Sequence, residues 1–149
     1  MMTDLKDLPN LLKTITAAQW NALFAFIPEI EHTEIFGTMG GGERLEDGSL
    51  TFPYWIEAEV VEKTSNELFK LDILPVYDWM KWDEGRSLLN EDTDFKALDV
   101  ISLCKLLTIV YRLDRFSEGT IVHYFKSGVM LKILQALKYT IESKNNDAL

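Results

Sequence analysis

Apolar residues recur at helical spacing over three stretches of the chain. Trp20, Leu23, Phe24 and Ile27 share one face, and Thr16 with Gln19 three residues on forms a capping-box pattern in front of them. Ile15 and Trp20 have the spacing of a hydrophobic staple, and Pro28 breaks or kinks the run. A shorter, weaker helix is predicted at about Leu5–Lys13. The strongest pattern begins at Thr93 or Asp94 and runs to about Arg112. It is apolar around most of its circumference, which predicts a central helix. Two more helices follow, at about Ser117–Lys126 and Val129 to about Glu142. The second of these carries Met130, Ile133, Leu134, Leu137 and Ile141 on one face. The polar tail from about residue 143 to 149 is expected to fray.

Two segments resist this reading. Phe36–Pro53 contains Gly40, Gly41, Gly42 and Gly48 and ends in proline, so it reads as one long Gly-rich loop. Residues 54–82 admit two structures. "IEAEV" and "FKLDI" alternate as a hairpin would, with "TSN" between them, yet Val61, Thr64, Leu68 and Leu71 also fall on one helical face. Pro75 interrupts, and Asp78 can cap a short turn that puts Trp79 and Trp82 on one side.

The stretch "RLDRFSEGTIVHYFKSG" lies between the last apolar helices. Ser117 can cap the next helix, Glu118 suits its dipole, and Phe116 with Ile121 has staple spacing. Gly128 sits where a left-handed residue would end that helix. Arg112, Asp114 and Arg115 are left over, and Gly119 would weaken a first helical turn by up to about 1 kcal/mol. A glycine there implies that something packs close against the backbone, either a protein segment or a ligand. The leftover charges form an internal ion-pair cluster or an anion site.

Several motifs carry a resemblance: Gly40-Gly41-Gly42, Pro53-Tyr54-Trp55, Pro75-Val76-Tyr77-Asp78-Trp79, and Arg112-Leu113-Asp114-Arg115-Phe116-Ser117-Glu118-Gly119 with Ser127-Gly128. Over roughly residues 37–140 the chain resembles a family of short bacterial proteins known only as a domain of unknown function. The resemblance implies that Glu57–Leu71 is helical and that the fold is all-α. It brings no catalytic residue with it. The expected architecture is therefore a compact single-domain bundle of about six helices spanning residues 1–149. The alternative is α+β, with a small hairpin within residues 55–75.

Composition narrows the chemistry. A chain of 149 residues with 47% apolar side chains and 17 aromatic ones can bury a core without disulfides. Cys104 is the one cysteine and lies in the central apolar run, which predicts a core position and excludes a disulfide framework. Residues 1–92 carry 18 acidic and 7 basic side chains, a net −11, while residues 93–149 carry 6 and 8, a net +2. That balance argues against nucleic acid as partner. The lack of a signal-like start and of an apolar run near 18 residues predicts a cytoplasmic protein without membrane spans.

The triple glycine lacks the Gly-Lys-Ser/Thr ending of a phosphate loop, and it precedes Glu43, Glu46 and Asp47. His32 and His123 have no ligand spacing around them, so no metal and no cofactor are expected. Glu57, Glu59, Asp78 and Asp114 could serve acid–base chemistry if a cleft brought them together. The expected function is a non-enzymatic binding or interaction module for an unknown protein or small anionic ligand. Its site would join Arg112, Asp114, Arg115, Glu118 and Gly119 to Tyr54, Trp55, Asp78, Trp79 and Gly40–Gly42. The alternatives are a carboxylate-based hydrolase with arginine charge stabilisation, and an acidic inhibitor of a basic protein.

Overall fold

The computed structural model describes residues 2–147. After a 3-10 turn at Leu5–Asp7 come α1 (Leu8–Thr14), α2 (Ala17–Phe24) and α3 (Phe26–Glu31). An antiparallel hairpin of β1 (Gly37–Gly40) and β2 (Tyr54–Glu57) leads into α4 (Glu59–Leu71). A 3-10 turn at Trp79–Lys81, α5 (Asp83–Leu88) and a second turn at Phe95–Ala97 connect to α6 (Val100–Phe116), α7 (Thr120–Lys126) and α8 (Val129–Asp147). The fold is thus helical with one small hairpin, the α+β form of the expectation.

The hairpin is not where alternation suggested. Residues 59–71 are helix; β1 lies inside the segment expected to be loop, and β2 follows directly after it. Two residues of the triplet read as a possible turn are instead held in the helix by hydrogen bonds. Thr64 Oγ1 donates back to the Val60 carbonyl at 2.7 Å, and Ser65 Oγ meets the Tyr111 hydroxyl at 2.6 Å. Asp72 ends α4 in the left-handed region at φ 59°.

The loop expectation for Phe36–Pro53 is corrected as well. Its two ends form β1 and approach β2, and its tip is a built turn. Leu45 N–H donates to the Ser49 carbonyl at 2.8 Å, and the Asp47 carboxylate accepts from Ser49 N–H at 2.9 Å. Gly41, at φ +77°, lies so close to the Phe52 carbonyl that no side chain fits between the strands there.

The Thr16 capping box forms as predicted, with Gln19 N–H donating to Thr16 Oγ1 at 3.2 Å and Thr16 N–H to Gln19 Oε1 at 2.8 Å. The break attributed to Pro28 falls at Ala25, one turn upstream, and Pro28 has no N–H to offer the Phe24 carbonyl four residues back. The central helix begins later than its apolar pattern: Asp99 caps it by accepting from Ser102 N–H at 2.7 Å. Residues 103, 104, 106, 107, 109 and 110 of α6 are all fully buried. Cys104 is among them, and burial pushes its thiol up to about 12. Helices α5, α7 and α8 surround α6. Helix α8 runs on to Asp147, beyond the expected end at Glu142, and the last two residues of the predicted fraying tail lie outside the described residues.

Candidate functional site

The polar bend differs from its predicted form in a way that decides the site. Nothing in Arg112–Arg115 stops a helix, and α6 continues through Phe116. Ser117 therefore follows the end of α6 and does not cap α7. That position belongs to Gly119, at φ +96°. The staple between Phe116 and Ile121 does not form: Phe116 is 77% exposed and lies against Trp79, ring centroids 6.2 Å apart. Asp114 supplies the missing cap by accepting from Ile121 N–H at 3.0 Å.

The expected close neighbour of Gly119 is Trp55. A β-carbon on Gly119 would sit 2.2 Å from the indole nitrogen, so β2 docks on this corner only because the residue is glycine. Glu118 completes the joint by accepting from Trp55 N–H at 2.7 Å. Gly37 similarly lies against Val122. Around the joint, Trp55, Glu57, Asp114, Glu118 and Gly119 line a depression of about 150 Å³. Partial burial, and then the nearby Asp114 carboxylate, hold Glu57 above its ordinary value of 4.5. A carboxyl raised in this way binds its proton more tightly in the folded state, so stability falls as pH rises from 4.5 toward the raised value. Glu57→Gln is accordingly expected to raise the melting temperature at pH 7 and leave it unchanged well below pH 4.5; thermal scans at both pH values check this.

Arg112 and Arg115 face a different concavity. A groove of about 480 Å³ runs between α4 and α6, with Leu68, Phe69, Leu74 and Tyr111 among its apolar lining and Met2 at its edge. Both arginines line it, Arg112 half-buried and Arg115 exposed. Neither forms a salt bridge among the described residues, which sets aside the internal ion-pair cluster. The two carboxylates that also line the groove are already engaged. Asp114 caps α7, and Asp72 accepts from Thr3 Oγ1 at 2.8 Å and Thr3 N–H at 3.3 Å. Arg112 Nη2 donates to Met2 Sδ at 3.6 Å. Deep in the wall, the Tyr111 hydroxyl is tied to Ser65, and burial raises its pKa.

The predicted site residues do not share one cavity. Arg112, Asp114 and Arg115 line the groove. Trp55, Glu118 and Gly119 form the hairpin joint. Gly40 lies under Tyr54 and Ile56 on the other face of the hairpin, and Gly41 and Gly42 shape its turn. Trp79 is buried between Phe116 and Arg86, and Asp78 is exposed and paired with Lys81 at 3.4 Å. The groove residues missed from sequence include Met2, Leu68, Phe69, Leu74 and Tyr111, with Asp72 and Thr108. Phe69 carried a signal, being an aromatic off the buried face of α4. Met2 carried none, because its place depends on the bridge between Asp4 and Val76.

The profile of a family of unknown function, DUF6508, matches residues 15–143, which include the hairpin, the corner and nearly all of the groove. The chain belongs to this family. No curated protein and no solved structure matches it. The DUF6508 match covers the motifs that suggested an uncharacterised family and, like them, brings no activity. Among the described residues, no helix is long and apolar enough to cross a membrane, and no cluster of three or more His, Cys, Asp or Glu could hold a metal ion.

Proposed function

We propose that this DUF6508 chain is a non-enzymatic binding module whose α4–α6 groove takes a small ligand with an apolar body and a carboxylate. One observation carries the reading: two guanidiniums without a carboxylate partner among the described residues line a mainly apolar groove. A volume of about 480 Å³ is in the range of small-molecule sites. Arginine forks bind carboxylates through paired, charge-assisted hydrogen bonds, and the apolar lining would cover the ligand's body. The hydrolase alternative has less support. Asp78 is on the surface with Lys81, Asp114 is committed to α7, and the depression beside Glu57 holds only about 150 Å³.

Decanoate tests the proposal, with inorganic phosphate as a bare anion for comparison. Calorimetry is expected to detect decanoate binding to the parent chain. Arg112→Ala and Arg115→Ala should each weaken it by about tenfold or more, with a melting temperature close to the parent's. Unchanged affinity in both variants would overturn the reading, and a large fall in melting temperature would make the arginines structural.

A further inference from the structure

The hairpin has two unlike faces. Residues paired across an antiparallel ladder share a face, so Gly37 with Glu57 and Met39 with Trp55 form one, and Thr38 with Ile56 and Gly40 with Tyr54 the other. The first face packs on α7 through Gly37 and Trp55. The second is the opposite face of the hairpin. Ile56 and Tyr54 are about half exposed on it, and Leu50 and Phe52, just before β2 in the chain, are exposed as well, the latter at 89%. Among the described residues, eight of the fourteen exposed large apolar side chains fall between Ile35 and Ile56. Such a concentration is unusual unless something covers it.

The edges of the hairpin differ too. Ala58 N–H donates to the Phe36 carbonyl, so alternate pairs from 36–58 onward carry the ladder bonds. The N–H groups of Trp55 and Met39 therefore point outward. Trp55 N–H is taken by Glu118, which closes the β2 edge. Met39 lies on the β1 edge, and its outward N–H and C=O have no partner among the described residues.

The charge around this surface selects the occupant. Between residues 31 and 47 there are five carboxylates, Glu31, Glu34, Glu43, Glu46 and Asp47, all exposed, against the single Arg44. A second copy would bring the same negative field and be repelled. We propose that the hairpin docks an extended segment of a partner protein in which apolar residues alternate with lysine or arginine. That segment would add to the free edge of β1. Its backbone would pair with Met39, its apolar side chains would cover Tyr54, Ile56 and Phe52, and its cations would face the carboxylates.

The probe is a labelled eight-residue peptide alternating isoleucine with lysine, and a matched peptide with glutamate replacing lysine. The lysine peptide is expected to bind the full chain, to weaken by about tenfold or more at high salt, and to protect the Met39 amide from hydrogen exchange. Met39→Pro removes the outward donor without touching the ladder bonds of its neighbours, and Phe52→Ser removes apolar contact. Each should weaken binding by roughly tenfold at unchanged melting temperature. Equal binding of both peptides, no binding of the lysine peptide, or full binding to Phe52→Ser would overturn the proposal. So would self-association by sedimentation that Phe52→Ser abolishes, since a second copy would then be the occupant.

Discussion

Gly119→Ala is expected to destabilise the fold by roughly 2–5 kcal/mol, from two separate causes. The backbone at φ +96° is one that an L residue adopts at a cost of about 1–2 kcal/mol. The new methyl would also meet the indole of Trp55, whose ring can yield only by leaving the corner. Displacing it loosens the contact that docks β2 on α7, an overpacking cost of about 1–3 kcal/mol. For a domain of this length, the melting temperature should fall by about 5–15 °C. A double-mutant cycle separates the two causes. In a Trp55→Ala background the steric part disappears, and Gly119→Ala should cost only the backbone part. If the cost is the same in both backgrounds, Trp55 is not what requires the glycine. Hydrogen exchange gives a second readout, because faster exchange in Gly119→Ala should concentrate in β1 and β2.

The same corner shows how far the sequence could be read. Local signals were sound where the interaction itself is local. The Thr16–Gln19 box closes within three residues, and Gly128 takes its left-handed turn at φ +89° between two helices that periodicity alone defines. Gly119 was legible as a place of close approach, but Trp55, the residue that approaches, belongs to a strand whose position is set by tertiary contacts. Ser117-Glu118-Gly119 imitates a helix start. What displaces that start is the absence of any breaker in Arg112–Arg115, so that α6 runs to Phe116 and Glu118 is free to hold β2.

The hairpin was hidden for a related reason. The two glycines of Gly37-Thr38-Met39-Gly40 disfavour a strand, and it becomes one because Tyr54–Glu57 offers a ladder and Val122 leaves room only for Gly37. The alternation in "IEAEV" was half right: Ile56 and Glu57 are strand, and the helix takes over at Glu59, where Ala58 is tied back to Phe36. For the candidate groove, the arginines stood out because no local pattern used them. Its apolar lining could not be assembled from sequence, since it joins the second residue of the chain to the ends of two helices far apart along it.

Leu106→Ala is expected to cost about 2–5 kcal/mol, the usual range for deleting a fully buried leucine. Leu106 lies mid-way along α6, the helix flanked by α5, α7 and α8, with Leu107 beside it and Leu103 one turn back, both also without exposure. Because apolar residues surround α6 on nearly every side, no loop can collapse into the space left behind, and the cavity term should add to the lost transfer free energy. The appropriate contrast is Phe116→Ala on the same helix. It removes a larger side chain, but one that is mostly in water, and it loses chiefly the contact with Trp79, worth about 0.5–1.5 kcal/mol. Chemical denaturation of both variants tests the ordering. Leu106→Ala should lower the midpoint several times more than Phe116→Ala, at similar slope. The reverse order would mean that α6 is not the helix around which the others are packed, and that the corner it ends in contributes more to stability than its middle.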